Sequence, residues 1–160
     1  VKALPFLLAL PLAAQAPLGH WTLASAPDVP AVIEAATAPM NFVTRPIARS
    51  RLRKTNPVYQ AIRLERTPGE YVITYDLRAP QRMPANGAAV PWKREDGDGF
   101  LISARTDKDD LVQRYKAEDG ERTNVFHLDP GTRTMNLTVT VTSAKLPRPV
   151  VYTITYKPAS

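Results

Sequence analysis

The chain has no cysteine among its 160 residues. That absence excludes a disulfide framework, a zinc ribbon, a cysteine-ligated iron–sulfur cluster and a thiol nucleophile. Glycine is scarce at 7 residues, and none of them stands in a phosphate-cradling loop. His20 and His127 are the only histidines, and they lack the H-E-x-x-H spacing that brings two imidazoles onto one metal. No G-x-S-x-G elbow occurs, so a Ser–His–Asp hydrolase has no local support. The longest apolar run, Ala3 to Ala14, is shorter than the roughly 20 residues a spanning helix needs.

Proline, by contrast, is abundant. Its 16 residues are twice the average share of roughly 5%, which argues against long helices and coiled coils. With 44% hydrophobic and 22% charged residues, the composition is that of a folded chain and not a disordered tail. The length suits one domain with a core that needs no staples.

The N-terminal segment reads as a leader. Val1 and Lys2 give a short cationic start, the apolar run follows, and Ala14-Gln15-Ala16 has the small residues that a signal peptidase reads. Residues 1–16 are therefore expected to be a signal peptide, with cleavage after Ala14 as the alternative. A valine in first position fits an alternative bacterial start codon. Residues 17–160 are expected to form a single exported domain, periplasmic or secreted.

The net charge of +6 is concentrated. From Ala35 to Leu64 there is no acidic residue, whereas Arg45, Arg49, Arg51, Arg53, Lys54 and Arg63 are present. Any electrostatic function is expected in that window. Its composition favours helix, and a helix pair is expected over about 29–55. Asp28 can cap the first helix with Pro30 in its first turn, and Val32, Ile33 and Ala36 form an apolar stripe that Pro39 ends. The second helix is expected from about Met40 to Lys54, capped by Asn41. Phe42, Ile47 and Leu52 mark its buried side, and Arg45, Arg49 and Arg53 recur along an exposed stripe.

After Pro57 the period becomes two. Tyr71, Ile73, Tyr75 and Leu77 alternate with Glu70, Thr74 and Asp76. Met135, Leu137, Val139 and Val141 do the same, as do Val150, Tyr152, Ile154 and Tyr156. Weaker strands are read at 58–66, 100–106, 111–117 and 122–128. Pro68-Gly69, Asn86-Gly87, Asp96-Gly97-Asp98-Gly99, Asp119-Gly120, Pro130-Gly131 and Pro147-Arg148-Pro149 supply the turns between them. Prolines are expected between strands and not within them, because strands need their backbone donors. With a first strand at 19–24, the reading is a mainly β fold: an antiparallel meander of about 8–9 strands closing into a barrel, with a helix pair inserted after the first strand. An open sheet or sandwich capped by the helices is the alternative.

Gly19-His20-Trp21, on the first strand, resembles the G-x-W motif of the calycin group, the lipocalins and fatty-acid-binding proteins. Helices between the first two strands resemble the fatty-acid-binding branch. The Arg-x-Tyr carboxylate clamp of that branch has no match, since Arg148 and Tyr152 are four apart. The resemblance therefore implies the architecture and ligand binding, and assigns no contact residue.

The strand aromatics Trp21, Tyr71, Tyr75, Tyr152 and Tyr156 are the candidate ligand-binding set, lining a cavity or filling a core. Arg45, Arg49 and Arg53 are the candidate anion-binding set, with a solvated helix face as the plain alternative. The acidic clusters at 95–98 and 107–110 fit turn chemistry and lack a calcium-loop register. No catalytic residue, metal ligand or cofactor is indicated. Nucleic acid is not expected, because Phe42 is the only aromatic in the basic window. The leading expectation is a non-enzymatic periplasmic protein that binds a small apolar or amphipathic ligand, anionic headgroups included. The alternative is an envelope interaction module whose basic helix docks on an anionic membrane or protein. An enzyme on this scaffold would require His20 or His127 in a cleft beside a carboxylate.

Overall fold

The computed structural model describes residues 16–160. All but the last residue of the expected signal peptide lie outside the described residues. The chain runs β1 (Gly19–Ser25), α1 (Val29–Thr37), α2 (Thr44–Thr55), β2 (Ala61–Arg66), β3 (Glu70–Tyr75), β4 (Gln81–Pro84) and β5 (Val90–Lys93). It continues through β6 (Gly99–Asp107), β7 (Asp110–Lys116), β8 (Gly120–Leu128), β9 (Met135–Ser143) and β10 (Val150–Pro158).

One ten-stranded antiparallel sheet, in the order β4-β3-β2-β1-β10-β9-β8-β7-β6-β5, curls into a nearly closed barrel. Consecutive strands pair throughout except across the β4–β5 boundary, and β1 closes onto β10, with Leu23 opposite Tyr156. At the remaining opening β4 lies beside β6 without a ladder. The strand count exceeds the expected 8–9 because β4 and β5, four residues each, are too short to show a period. They are also where the proline expectation fails. Pro84 ends β4 and Pro91 lies inside β5, and Pro158 ends β10. Both short strands are edge strands, where a missing donor leaves no ladder bond unmade.

Alternation decides which side chains enter the barrel. Ile62, Leu64, Tyr71, Ile73, Met83, Ile102, Leu111, Phe126, Leu137 and Ile154 are buried and pack as one cluster. The expected alternation through Leu77 stops at Tyr75. Asp76 takes a positive φ of 50°, and its carboxylate accepts the N–H groups of Gln60 and Ala61, both at 2.9 Å. Leu77 is consequently fully exposed. Gly120 at the start of β8 is dictated by a close approach: a Cβ there would lie 2.9 Å from the Thr142 carbonyl.

The helix pair covers one end of the barrel. Asp28 caps α1 by accepting from Ala31 N–H at 3.0 Å, and Val29, Ile33 and Ala36 are buried. Burial of Ile33 alone contributes about 2–3 kcal/mol. α2 starts later than expected, at Thr44, but Asn41 still serves its first turn by accepting from Val43 and Thr44 N–H at 3.0 and 2.9 Å. Only Leu52 of its expected apolar side is buried; Phe42 is 86% and Ile47 67% exposed. The arginine stripe is exposed only in part: Arg53 is exposed as expected, and Arg45 and Arg49 are half-buried. Arg49 ion-pairs with Glu34 of α1, Arg53 lies 3.9 Å from the same carboxylate, and Arg45 donates to the Met40 carbonyl. Arg49 and Arg53 reach across the α1–α2 seam because Glu34 is the nearest acid to a window that has none of its own.

Candidate functional site

Beneath α2 lies a cavity of about 830 Å³. Its mouth is framed by α2 and by the turns β3–β4, β5–β6, β7–β8 and β9–β10, which all project from the same end of the barrel. One wall is aromatic. Trp92 of β5, Phe100 of β6 and Tyr115 of β7 meet with ring centroids 5.6–6.2 Å apart, Trp92 and Phe100 each edge-on or tilted to their neighbours. Ala48 and Leu52 of α2 and Val141 of β9 add aliphatic surface.

The opposite part of the lining is polar, and it is built at positions where the strands alternate inward. On β8, Arg122 and Asn124 point inward in register with Phe126 and line the cavity; on β7, Gln113, between Leu111 and Tyr115, points inward behind the lining. Gln113 and Asn124 are almost completely buried, so each must be hydrogen-bonded. Tyr75 donates to Gln113 Oε1 at 2.5 Å, and Asn124 Nδ2 donates to Tyr75 Oη at 3.0 Å and to Gln113 Oε1 at 3.2 Å. Gln113 Nε2 in turn donates to Gln81 Oε1 at 2.8 Å, which also accepts from Tyr115.

Arg122 anchors the network. Its Nε donates to Asn124 Oδ1 at 3.0 Å, and its Nη1 donates to the Thr55 carbonyl at 3.2 Å and to Asn56 Oδ1 at 3.0 Å. It thereby caps the C-terminal end of α2 from inside, where a cation is favoured by the helix dipole. Tyr152 completes the contact by donating to Asn56 Oδ1 at 3.0 Å. Among the described residues Arg122 has no carboxylate partner within ion-pair distance; its neighbours are neutral oxygens, the Tyr152 hydroxyl included. Burial opposes its charge, and the surrounding tyrosines, Tyr152 and Tyr115 foremost, raise its pKa above the ordinary value only through their ionised forms. Burial raises the phenols themselves: Tyr75 well above its ordinary value, Tyr115 to about 12, and Tyr152 and Tyr156 upward as well.

Of the aromatic set read from sequence, Tyr75 lines the cavity. Trp21, Tyr71, Tyr152 and Tyr156 are buried in the core away from its lining, and Tyr152 reaches it through Asn56. Trp21 closes the far end, its Nε1 donating to the Pro17 carbonyl at 3.0 Å. Arg148 stands in the β9–β10 turn at the opposite, open end. The residues missed were Asn56, Tyr59, Gln81, Trp92, Arg122 and Asn124. A sequence signal existed for two of them, because Arg122 and Asn124 occupy the apolar phase of a strand that continues as Phe126 and Leu128.

Neither histidine enters the cavity. His20 is exposed, and His127 lies on the outer wall with Nδ1 2.6 Å from Asp110 Oδ1. The acidic cluster at 95–98 is bound up in its own turn: Asp96 and Asp98 both ion-pair with Arg94 at 2.7 Å, and that hydrogen bond holds the Asp96 carboxyl down at about 2. No group of three or more potential metal ligands occurs among the described residues.

No family model and no curated protein matches the sequence. Solved structures do match the fold. The chain is similar to the REP1-NXSQ fatty acid transporter, with 16% identity, a TM-score of 0.58, and 89% of this chain and 96% of that one covered. It is also similar to a secretary abundant heat soluble protein from Ramazzottius varieornatus, with 10% identity, a TM-score of 0.62 and 89% and 94% covered. The fluorescent protein UnaG is a third, with 14% identity, a TM-score of 0.57 and 89% and 96% covered. The chain thus has a calycin-like fold.

Proposed function

We propose that this protein is a non-enzymatic carrier of a small amphipathic anion, held with its acidic head on Arg122 and its apolar body along Trp92, Phe100 and Leu52. The observation that carries the reading is a guanidinium lining the cavity whose charge meets only neutral oxygens and no carboxylate among the described residues. Buried arginine charge is costly unless paired, and a ligand carboxylate or phosphate supplies the missing partner through charge-assisted hydrogen bonds. The cavity volume falls within the range of small-molecule sites. Fold similarity to a fatty acid transporter supports the same class of ligand. The position of His127 on the outer wall, away from the cavity, supports a carrier over an enzyme. The leader-like sequence of residues 1–16 supports export, and the periplasm is the proposed location.

The test is titration calorimetry with long-chain carboxylates and their methyl esters, alongside native mass spectrometry of protein purified from its host. Arg122→Gln is expected to weaken carboxylate binding about tenfold to a hundredfold, the value of a charged hydrogen bond at 1.5–3 kcal/mol. Methyl esters are expected to bind the two proteins alike. Carboxylate affinity untouched by the substitution would reject the reading.

A second reading is favoured by one observation: Phe42, Val43 and Ile47 stand exposed at the start of α2, in the window without acidic residues. In this reading α2 docks on an anionic membrane, with Ile47 at the cavity mouth.

A further inference from the structure

Gln81 sits on the edge strand β4, 8% exposed, and lines the cavity. Its Oε1 accepts from both Gln113 Nε2 and Tyr115 Oη, which fills that oxygen. Its Nε2 has no partner among the described residues. No fully buried side-chain nitrogen or oxygen among those residues is unpartnered, so this amide nitrogen keeps some accessible surface, on a residue that lines the cavity.

The orientation of Gln81 follows from Arg122. An amide can be flipped unless its neighbours settle which end is oxygen. A guanidinium only donates, so the Asn124 atom facing Arg122 Nε is the oxygen. Asn124 must then donate onward, so the Gln113 atom it meets is an oxygen, and Gln113 must donate to Gln81 Oε1. The relay runs one way from Arg122 and ends on a free N–H pair at Gln81. The cavity therefore offers a cationic donor at one place and a neutral amide donor at another, separated by three hydrogen bonds.

We infer that Gln81 is a second polar contact for the ligand, its Nε2 donating to a hydroxyl or oxo oxygen carried on the hydrocarbon body. The preferred ligand class is then an oxygenated long-chain carboxylate over its unsubstituted parent. The inference rests on the carrier reading above and deepens it. A ligand lacking that oxygen covers the amide without giving it a partner, which is the source of the discrimination.

The experiment is calorimetric titration of the whole protein with stearate and with a positional series of its mono-hydroxy and mono-oxo derivatives. At least one position is expected to bind about threefold to tenfold tighter than stearate, and the Gln81 side-chain amide resonances are expected to shift only with those derivatives. In Gln81→Met the ratio of derivative to stearate is expected to fall to near one. Gln81→Glu, which keeps an acceptor for Gln113 and Tyr115 but has no N–H to give, is expected to lose the preference for the oxo derivatives and serves if the methionine variant does not fold. Stearate binding with no preference at any position, or a preference that survives both substitutions, overturns the inference and leaves the carrier reading standing. Failure of every carboxylate to bind overturns both.

Discussion

Inside the barrel, individual side chains carry more of the chemistry than their burial suggests. A phenol that burial raises remains neutral where a solvated one ionises, and Tyr115 is raised to about 12. The linkage has a definite sign. Its stabilising contribution is fully present below the unfolded value near 10 and is lost as pH rises toward 12, a loss of about 2–3 kcal/mol. Tyr75 acts in the same direction. Phenolate absorbance and circular dichroism followed together from pH 9 upward are expected to show ionisation of these groups coincident with loss of fold. Tyr115→Phe is expected to cost about 1 kcal/mol at neutral pH and to flatten that alkaline decline. Complete phenolate formation near pH 10 with the fold intact would contradict this picture.

At the scale of elements, α2 is the one whose two ends face different partners. Its C-terminal end is held from within by Arg122 and from outside by Arg51, 3.4 Å from Asp98 in the β5–β6 turn. Its start is exposed on the apolar side among the described residues. A basic helix with exposed Phe42 and Ile47 is suited to the headgroup region of an anionic bilayer. Cosedimentation is expected with phosphatidylglycerol vesicles and not with phosphatidylcholine vesicles, weakening as salt shortens the screening length. Phe42→Asp and Ile47→Asp are each expected to reduce binding at least about tenfold, from the lost burial of roughly 1.5–3 kcal/mol. Equal binding to both vesicle types, or none to either, would leave α2 as a lid alone. The helix pair itself was legible from Asp28, Pro30, Asn41 and the apolar stripe of α1. The direction in which α2 turns its arginines was not, because Glu34 captures them through an inter-helix contact that no periodicity encodes.

For the whole molecule, the interior network is also a closure. The ladder is interrupted between β4 and β5, and the bonds from Gln113 and Tyr115 of β7 to Gln81 of β4 cross the barrel where backbone pairing is missing. Hydrogen exchange is expected to open β4 and β5 before β8, β9 and β10, since short edge strands have the least local stability. Gln113→Leu strands the Tyr75 hydroxyl and one N–H of Asn124 and removes one of the two donors to Gln81, and is expected to cost about 2–4 kcal/mol while accelerating exchange in β4 more than in β2. Uniform acceleration over the sheet would show the network to be ordinary core packing.

The sequence by itself determined the meander, its turns, the position of the helix pair and the absence of thiol chemistry, because each rests on local period or on residues present within a few positions. Only the tertiary structure decided what the cavity is made of. Tyr75 meets Gln113 across 38 residues, Arg122 meets Asn56 across 66, and Tyr152 meets the same Asn56 across 96. Alternation tells which residues share a face of a strand; barrel closure, which no local pattern contains, tells which faces confront one another. That is why alternation could place Arg122 in the same phase as Phe126, while its meeting with Thr55 and Asn56 at the end of α2 could not be read.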